Sequence, residues 1–168
     1  ARILRDVVPD YAVFSEPIGG NNGPVVSPRL YREIVLASYR PLLEVLRRGG
    51  VETIVYMTYA NARILLRDVL EEGFNTLWAC EVNMEVMDYA GLRREFGPRL
   101  RLIGGLDLDA LLESDDAVRR EVETKVPVLL AQGGYCPLAD GRVRANVPFP
   151  RYAFYRKVLR RVAGQGTT

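Results

Sequence analysis

The sequence predicts an α/β fold built on a parallel sheet, and three observations predict it. Short segments rich in β-branched and aromatic residues alternate with helical patterns about five times along the chain. One of them, Glu52 to Tyr59, is too uniformly apolar for a half-exposed strand and reads as a buried parallel one. Polar residues then follow directly after the predicted strands, most clearly between Leu100 and Val143, on the rim where β/α folds build their sites.

The elements follow in order. A strand at Tyr11 to Ser15 leads into a long loop, EPIGGNNGPVV, rich in Gly, Asn and Pro. Ser27 caps a helix that starts at Pro28, where a missing amide hydrogen costs nothing. Leu30, Ile34, Leu42 and Leu46 mark its expected packed face, Pro41 is a kink point, and Gly49 and Gly50 end it. After the strand ending at Tyr59, Asn61 is placed to cap a helix running through Leu70, with Gly73 as its stop. A strand at Asn75 to Ala79 precedes Glu81, and a short helix near Asp88 to Phe96, which Asp88 is placed to cap, ends at Gly-Pro. Arg101 to Ile103 is the fourth strand. Ser114 caps the next helix, whose inward face is Val118, Val122, Val126 and Leu129, and Pro127 argues for a kink or an early last turn. A short strand around Tyr135 and a last helix opened by Pro150 complete the pattern.

Composition narrows the function classes. With 168 residues and 48 % hydrophobic content the chain is long enough for one domain with a core, and no apolar run approaches the ~20 residues of a membrane span. No charged segment followed by an apolar one opens the sequence, so a cytoplasmic location is expected. Cys80 and Cys136 are too few for a disulfide framework and read as buried apolar residues. There is no histidine, which excludes a His-built triad and His-ligated zinc chemistry within this chain. The 23 basic and 21 acidic residues leave a net charge of +2, which gives no support to nucleic-acid binding. Arg151, Arg156, Lys157, Arg160 and Arg161 fit the solvated side of the last helix around Phe154, Val158 and Val162.

Two architectures satisfy this rhythm. A small doubly wound parallel sheet fits the length. The carboxyl-terminal half or slightly more of a (β/α)₈ TIM barrel also fits, and leaves an open sheet edge, since a closed barrel takes roughly 250 residues.

Three phrases carry a resemblance: VVSPRLYREIV, then EEGFNTLWACEVNMEVMDYAGLRREFGPRLRLIGGLDLDALL, and finally GGYCPLADGRVRANVPFPRYAFY. In this order they resemble successive units in the later part of the uroporphyrinogen decarboxylase-like (URO-D) superfamily, a group of (β/α)₈ proteins that includes relatives of cobalamin-associated methyltransferases. The resemblance implies a single partial domain over 1–168, with a pocket at the carboxyl ends of the strands. It also implies that the arginine-rich substrate segment and the principal catalytic aspartate lie in an amino-terminal half-barrel outside this sequence.

Candidate site residues follow from the rim positions and the resemblance together. Glu16, Glu81 and Asp107 are the catalytic candidates: each is a carboxylate at a strand end, able to accept a proton, orient a cationic donor or simply satisfy its own loop. Gly104 and Gly105 beside Asp107 permit close backbone approach. Tyr59 and Asn61 follow the buried strand and offer polar groups to a ligand or to the loop. Asp140 resembles a family aspartate usually followed by histidine, here Gly141, while Arg142 and Arg144 suit a carboxylate-rich molecule or solvent. Cys136 invites comparison with zinc thiolates of the methyltransferase relatives, but lacks His and Cys partners, so no metal is expected.

The resemblance therefore implies decarboxylation or binding of an acidic small molecule such as a tetrapyrrole, without an organic cofactor. If active, the protein would be a carboxy-lyase in its full-length or assembled form. The alternatives are methyl transfer with a corrinoid partner, and non-catalytic ligand binding or assembly. Expected partners are the acidic ligand and either a second copy or the missing amino-terminal half-barrel, with neither nucleic acid nor membrane.

Overall fold

The computed structural model describes residues 3–80 and 86–164. Its core is an open five-stranded sheet, all parallel and flanked by helices, with strands β1 (Tyr11–Glu16), β4 (Thr53–Tyr59), β5 (Thr76–Cys80), β6 (Arg101–Leu106) and β7 (Tyr135–Ala139) paired in that order. Sequence order and spatial order coincide, without the reversal of direction that a doubly wound sheet requires. Among the described residues no helix is long and apolar enough to cross a membrane. Two compact units, 1–78 and 79–168, divide the chain within β5.

In the first unit β1 pairs with β4 in register from Tyr11 against Thr53 to Glu16 against Thr58. The predicted loop after β1 folds into a small hairpin, β2 (Gly19–Gly20) and β3 (Gly23–Pro24), turning at Asn21 and Asn22. Ser27 caps α1 (Pro28–Leu30) as expected, its Oγ accepting from the Leu30 amide at 3.3 Å. A π-helical segment, Tyr31–Leu36, then runs without a break into α2 (Ala37–Arg48).

That segment corrects the predicted packed face. Leu30, Ile34 and Leu42 are exposed, Leu46 is half-buried, and the core takes Tyr31, Leu36 and Leu43. A π turn absorbs an extra residue and rotates everything after it relative to a straight 3.6-residue period. Pro41, which cannot donate to the preceding turn, sits inside α2 just after it. Tyr39 meets Phe14 with ring centroids 4.9 Å apart, and Phe74 lies 5.2 Å from Phe14 and 5.6 Å from Tyr56, so edge-on aromatic packing joins the helix to the sheet. After β4, Asn61 accepts from the Arg63 amide and a 3₁₀ turn leads into α3 (Leu66–Glu72), which Gly73 ends at φ +114°.

In the second unit Asp88 caps α4 (Tyr89–Phe96), accepting from the amides of Ala90 and Gly91. β6 continues three residues beyond its predicted end because Gly104 (φ +99°) and Gly105 (φ +78°) carry the strand through conformations closed to most side chains. Ser114 caps α6 (Asp115–Leu130), which follows the short α5 (Ala110–Glu113), and its predicted inward face is buried throughout. Pro127 does not shorten α6. In α7 (Phe149–Val162) the buried face is Tyr155, Val158 and Leu159, and Arg156, Lys157, Arg160 and Arg161 are solvated as predicted. Arg151 instead is half-buried against Asp115 at 2.5 Å. Cys80 is buried, but Cys136 is exposed, contrary to its apolar reading.

The Tyr89 ring lies on Gly105, where a Cβ would stand 2.5 Å from its Cδ2. Gly105→Ala combines this overlap with a strained φ and is expected to lose at least about 2 kcal/mol in urea unfolding. Ser27→Ala removes one cap and should lose about 1 kcal/mol.

Candidate functional site

Because the strands run in parallel, the rim residues sit where the sequence pattern puts them. Glu16 and Tyr59 are the last residues of β1 and β4, while Asp107 and Asp140 immediately follow β6 and β7. Glu81 lies outside the described residues.

The first unit's rim is closed by its hairpin. The Asn61 amide donates to the Gly20 carbonyl at 3.2 Å, and a Cβ on Gly19 would fall 1.9 Å from the Tyr59 carbonyl oxygen, so only glycine lets the hairpin lie this close to the end of β4. Between Tyr59 and Asn61, Ala60 is held at φ +49°, a left-handed conformation that L side chains rarely adopt. The sequence-predicted Tyr59 and Asn61 thus meet the hairpin, and Asn61 spends its side-chain oxygen on the local turn.

Glu16 points the other way. Its register partner is Thr58 and that of Phe14 is Tyr56, so these four side chains share the face packed against the helices, while Ser15 and Tyr59 take the opposite face. The Glu16 carboxylate accepts a hydrogen bond from the Tyr39 hydroxyl. Burial pushes its carboxyl up from the ordinary 4.5. Nearby, the Tyr31 hydroxyl donates to the Tyr56 hydroxyl at 3.2 Å in the buried layer. Burial pushes the Tyr56 phenol up to about 12, against the opposing pull of the Tyr31 and Thr58 hydroxyls. Glu16 with Tyr39, and Tyr31 with Tyr56, thus form polar contacts inside the sheet–helix layer, and the sequence pattern singled out none of the three tyrosines.

The second unit's rim is more open. The Asp107 amide donates to Glu121 Oε1 of α6 at 2.7 Å, and Asp107 Oδ1 accepts from the Asp109 amide at 2.9 Å, which fixes the loop after β6. Glu121 is held in turn by Lys125 one turn along. The Asp140 amide donates to the Leu106 carbonyl at 2.7 Å, and its residue is 4 % exposed. Its negative charge is among the causes, after burial, that raise the phenol of Tyr89. Arg144 reaches Asp109 at 3.6 Å, joining the loops that follow β6 and β7, and Arg142 stands exposed two residues before it. The close backbone approach expected at Gly104 and Gly105 is used by the protein itself: Tyr89 fills the space, donating to the Ile103 carbonyl at 2.7 Å and accepting from the Ala79 amide at 3.0 Å.

Chemically, this rim offers fixed carboxylates and two exposed guanidinium groups suited to an organic anion. Among the described residues no cluster of three or more Cys, Asp or Glu is arranged to hold a metal ion. Glu121, missed by the sequence reading, had one signal, its i,i+4 spacing to Lys125 beside the inward face of α6. No family model matches the chain, and no curated protein matches it.

The Glu16 geometry fixes the sign of a pH effect. A carboxyl whose folded-state pKa is raised contributes fully below its ordinary value and loses that contribution as pH climbs through the raised value. Glu16→Gln, which stays neutral and still accepts from Tyr39, should gain stability relative to the parent as pH rises from 4.5 towards neutrality. Paired urea unfolding curves across that interval measure it, and a difference independent of pH would exclude a raised Glu16.

Proposed function

We propose that this chain is the later part of a (β/α)₈ barrel of the uroporphyrinogen decarboxylase-like kind, and that it serves as a binding module for a carboxylate-bearing small molecule. The barrel reading is supported by strand order. Five parallel strands follow one another without a reversal, and right-handed crossovers in such an order bring every helix to the same face, as in barrels. A doubly wound sheet would reverse once.

The binding reading rests on Arg142 and Arg144. They follow the carboxyl end of β7, exposed, with Arg144 bridging to Asp109 beyond β6. Guanidinium groups pair with carboxylates in two parallel hydrogen bonds, and the Asp109 contact pre-positions one of them without burying it. Carboxy-lyase chemistry asks for an acid aimed at the ligand. Glu16, whose carboxyl burial raises, faces the helix layer instead, which favours binding over turnover in this chain.

Titration of the folded chain with coproporphyrin III, a tetracarboxylate probe, is expected to show saturable binding by calorimetry. Arg142→Ala together with Arg144→Ala should weaken it by at least about tenfold, the loss of one charge-assisted contact. Absence of saturable binding overturns the proposal. Release of carbon dioxide from the corresponding porphyrinogen would install the lyase reading in its place.

A further inference from the structure

The tip of the hairpin laid over the end of β4 carries a reactive dipeptide. Asn22 is the chain's only asparagine followed by glycine. The amide carbon of an asparagine side chain lies within reach of the next residue's backbone nitrogen, and it is the side chain of that next residue that obstructs their approach; glycine has none. Asn21 and Asn22 are both exposed, and among the described residues the Asn22 amide has no hydrogen-bond partner. Gly23 stands at φ +130°, and nothing lies within 4 Å of the point a Cβ would occupy, so the flank of its nitrogen that a side chain would shield is open. The ladder that holds this tip has only the pairs Gly19 with Pro24 and Gly20 with Gly23, and so short a ladder opens locally at little cost.

Comparable positions elsewhere are protected. The Asn75 amide donates to the Glu52 carbonyl at 2.7 Å while its Oδ1 accepts from the Ile54 amide at 3.0 Å, and Asn61 Oδ1 accepts from the Arg63 amide. Asn146 is exposed but precedes the β-branched, buried Val147. Asp140-Gly141, the one Asp-Gly in the sequence, could close the same ring, yet Asp140 is 4 % exposed and its amide is tied to the Leu106 carbonyl.

We propose that Asn22-Gly23 is a site of self-modification by deamidation, and that its product releases the hairpin from the end of β4. The Gly23 nitrogen gives up its proton to solvent base and attacks Asn22 Cγ. The Cγ–Nδ2 bond breaks and ammonia leaves, closing a succinimide ring with no change of oxidation state. Water then adds to either ring carbonyl carbon and opens its bond to nitrogen, giving aspartate or isoaspartate. Isoaspartate routes the main chain through the former side chain, which adds a methylene and a negative charge to a two-residue turn. That turn sets the register of Gly20 against Gly23, and Gly20 is the residue whose carbonyl accepts from the Asn61 amide at 3.2 Å. Gly19 beside it has no room to shift, because even a Cβ there would fall 1.9 Å from the Tyr59 carbonyl oxygen. A lengthened turn is therefore accommodated by lifting the hairpin away, which opens the rim it closes. The inference concerns the first unit alone and does not depend on ligand binding by the second.

Ageing the full chain in mildly alkaline buffer, with peptide mapping by mass spectrometry, tests the site. The Asn22 peptide is expected to convert to aspartate and isoaspartate forms at least about tenfold faster than the Asn146 peptide of the same sample. Amide hydrogen exchange tests the release: the aged chain should lose protection at Asn61 relative to the fresh one. Asn22→Gln changes an exposed loop tip, so it should keep its circular dichroism and hold its Asn61 protection through the same ageing. An Asn22 peptide that converts no faster than the Asn146 peptide overturns the modification site. An Asn61 amide equally protected in the converted chain overturns the release of the hairpin. The porphyrin titration stands or falls separately.

Discussion

Parallel pairing is the constraint on which the rest of this molecule depends. Two parallel neighbours cannot be joined by a tight turn, so each strand must be followed by a crossover long enough to return to the sheet's starting edge. Helices are the economical way to make that return while satisfying the backbone, and five strands in this arrangement all point their carboxyl ends in one direction. The position of every polar residue that ends or follows a strand is settled by that geometry before any side chain is chosen.

Side chains then decide what the rim is worth. In the first unit the space is taken by backbone: a glycine hairpin laid on the end of β4 and an alanine held in a left-handed turn. In the second it is taken by charge, with Asp107 tied to α6 through Glu121 and Arg144 leaning on Asp109. Tyr89 links rim and core by bonding two neighbouring strands through one buried hydroxyl.

Much of this was legible in the sequence, and the failures have physical causes. The caps at Ser27, Asp88 and Ser114 and the stop at Gly73 are local chemistry and appear where the residues predict them. The buried face of α6 follows an ordinary helical period. The helix from Pro28 to Arg48 does not, because hydrogen bonds of π spacing have no signature in an apolar pattern, and the segment at Tyr31–Leu36 turns Leu42 off the face an unbroken period assigns it. Glu16 was placed correctly at a strand end, but which face it takes follows from register, a property of the β1–β4 pair that neither segment reveals alone. The hairpin in EPIGGNNGPVV is four residues of strand in glycine and proline, residues that argue against strand everywhere else.

The half-buried carboxyl of Glu16 also shapes how the molecule responds to acidity. Histidine is the side chain whose unperturbed titration spans the interval between the carboxylates and the thiols, and this sequence has none. The carboxyl that burial raises lies between sheet and helix, bonded to the Tyr39 hydroxyl. The contact between β1 and α2 is therefore one whose strength changes with the protonation of a single carboxyl.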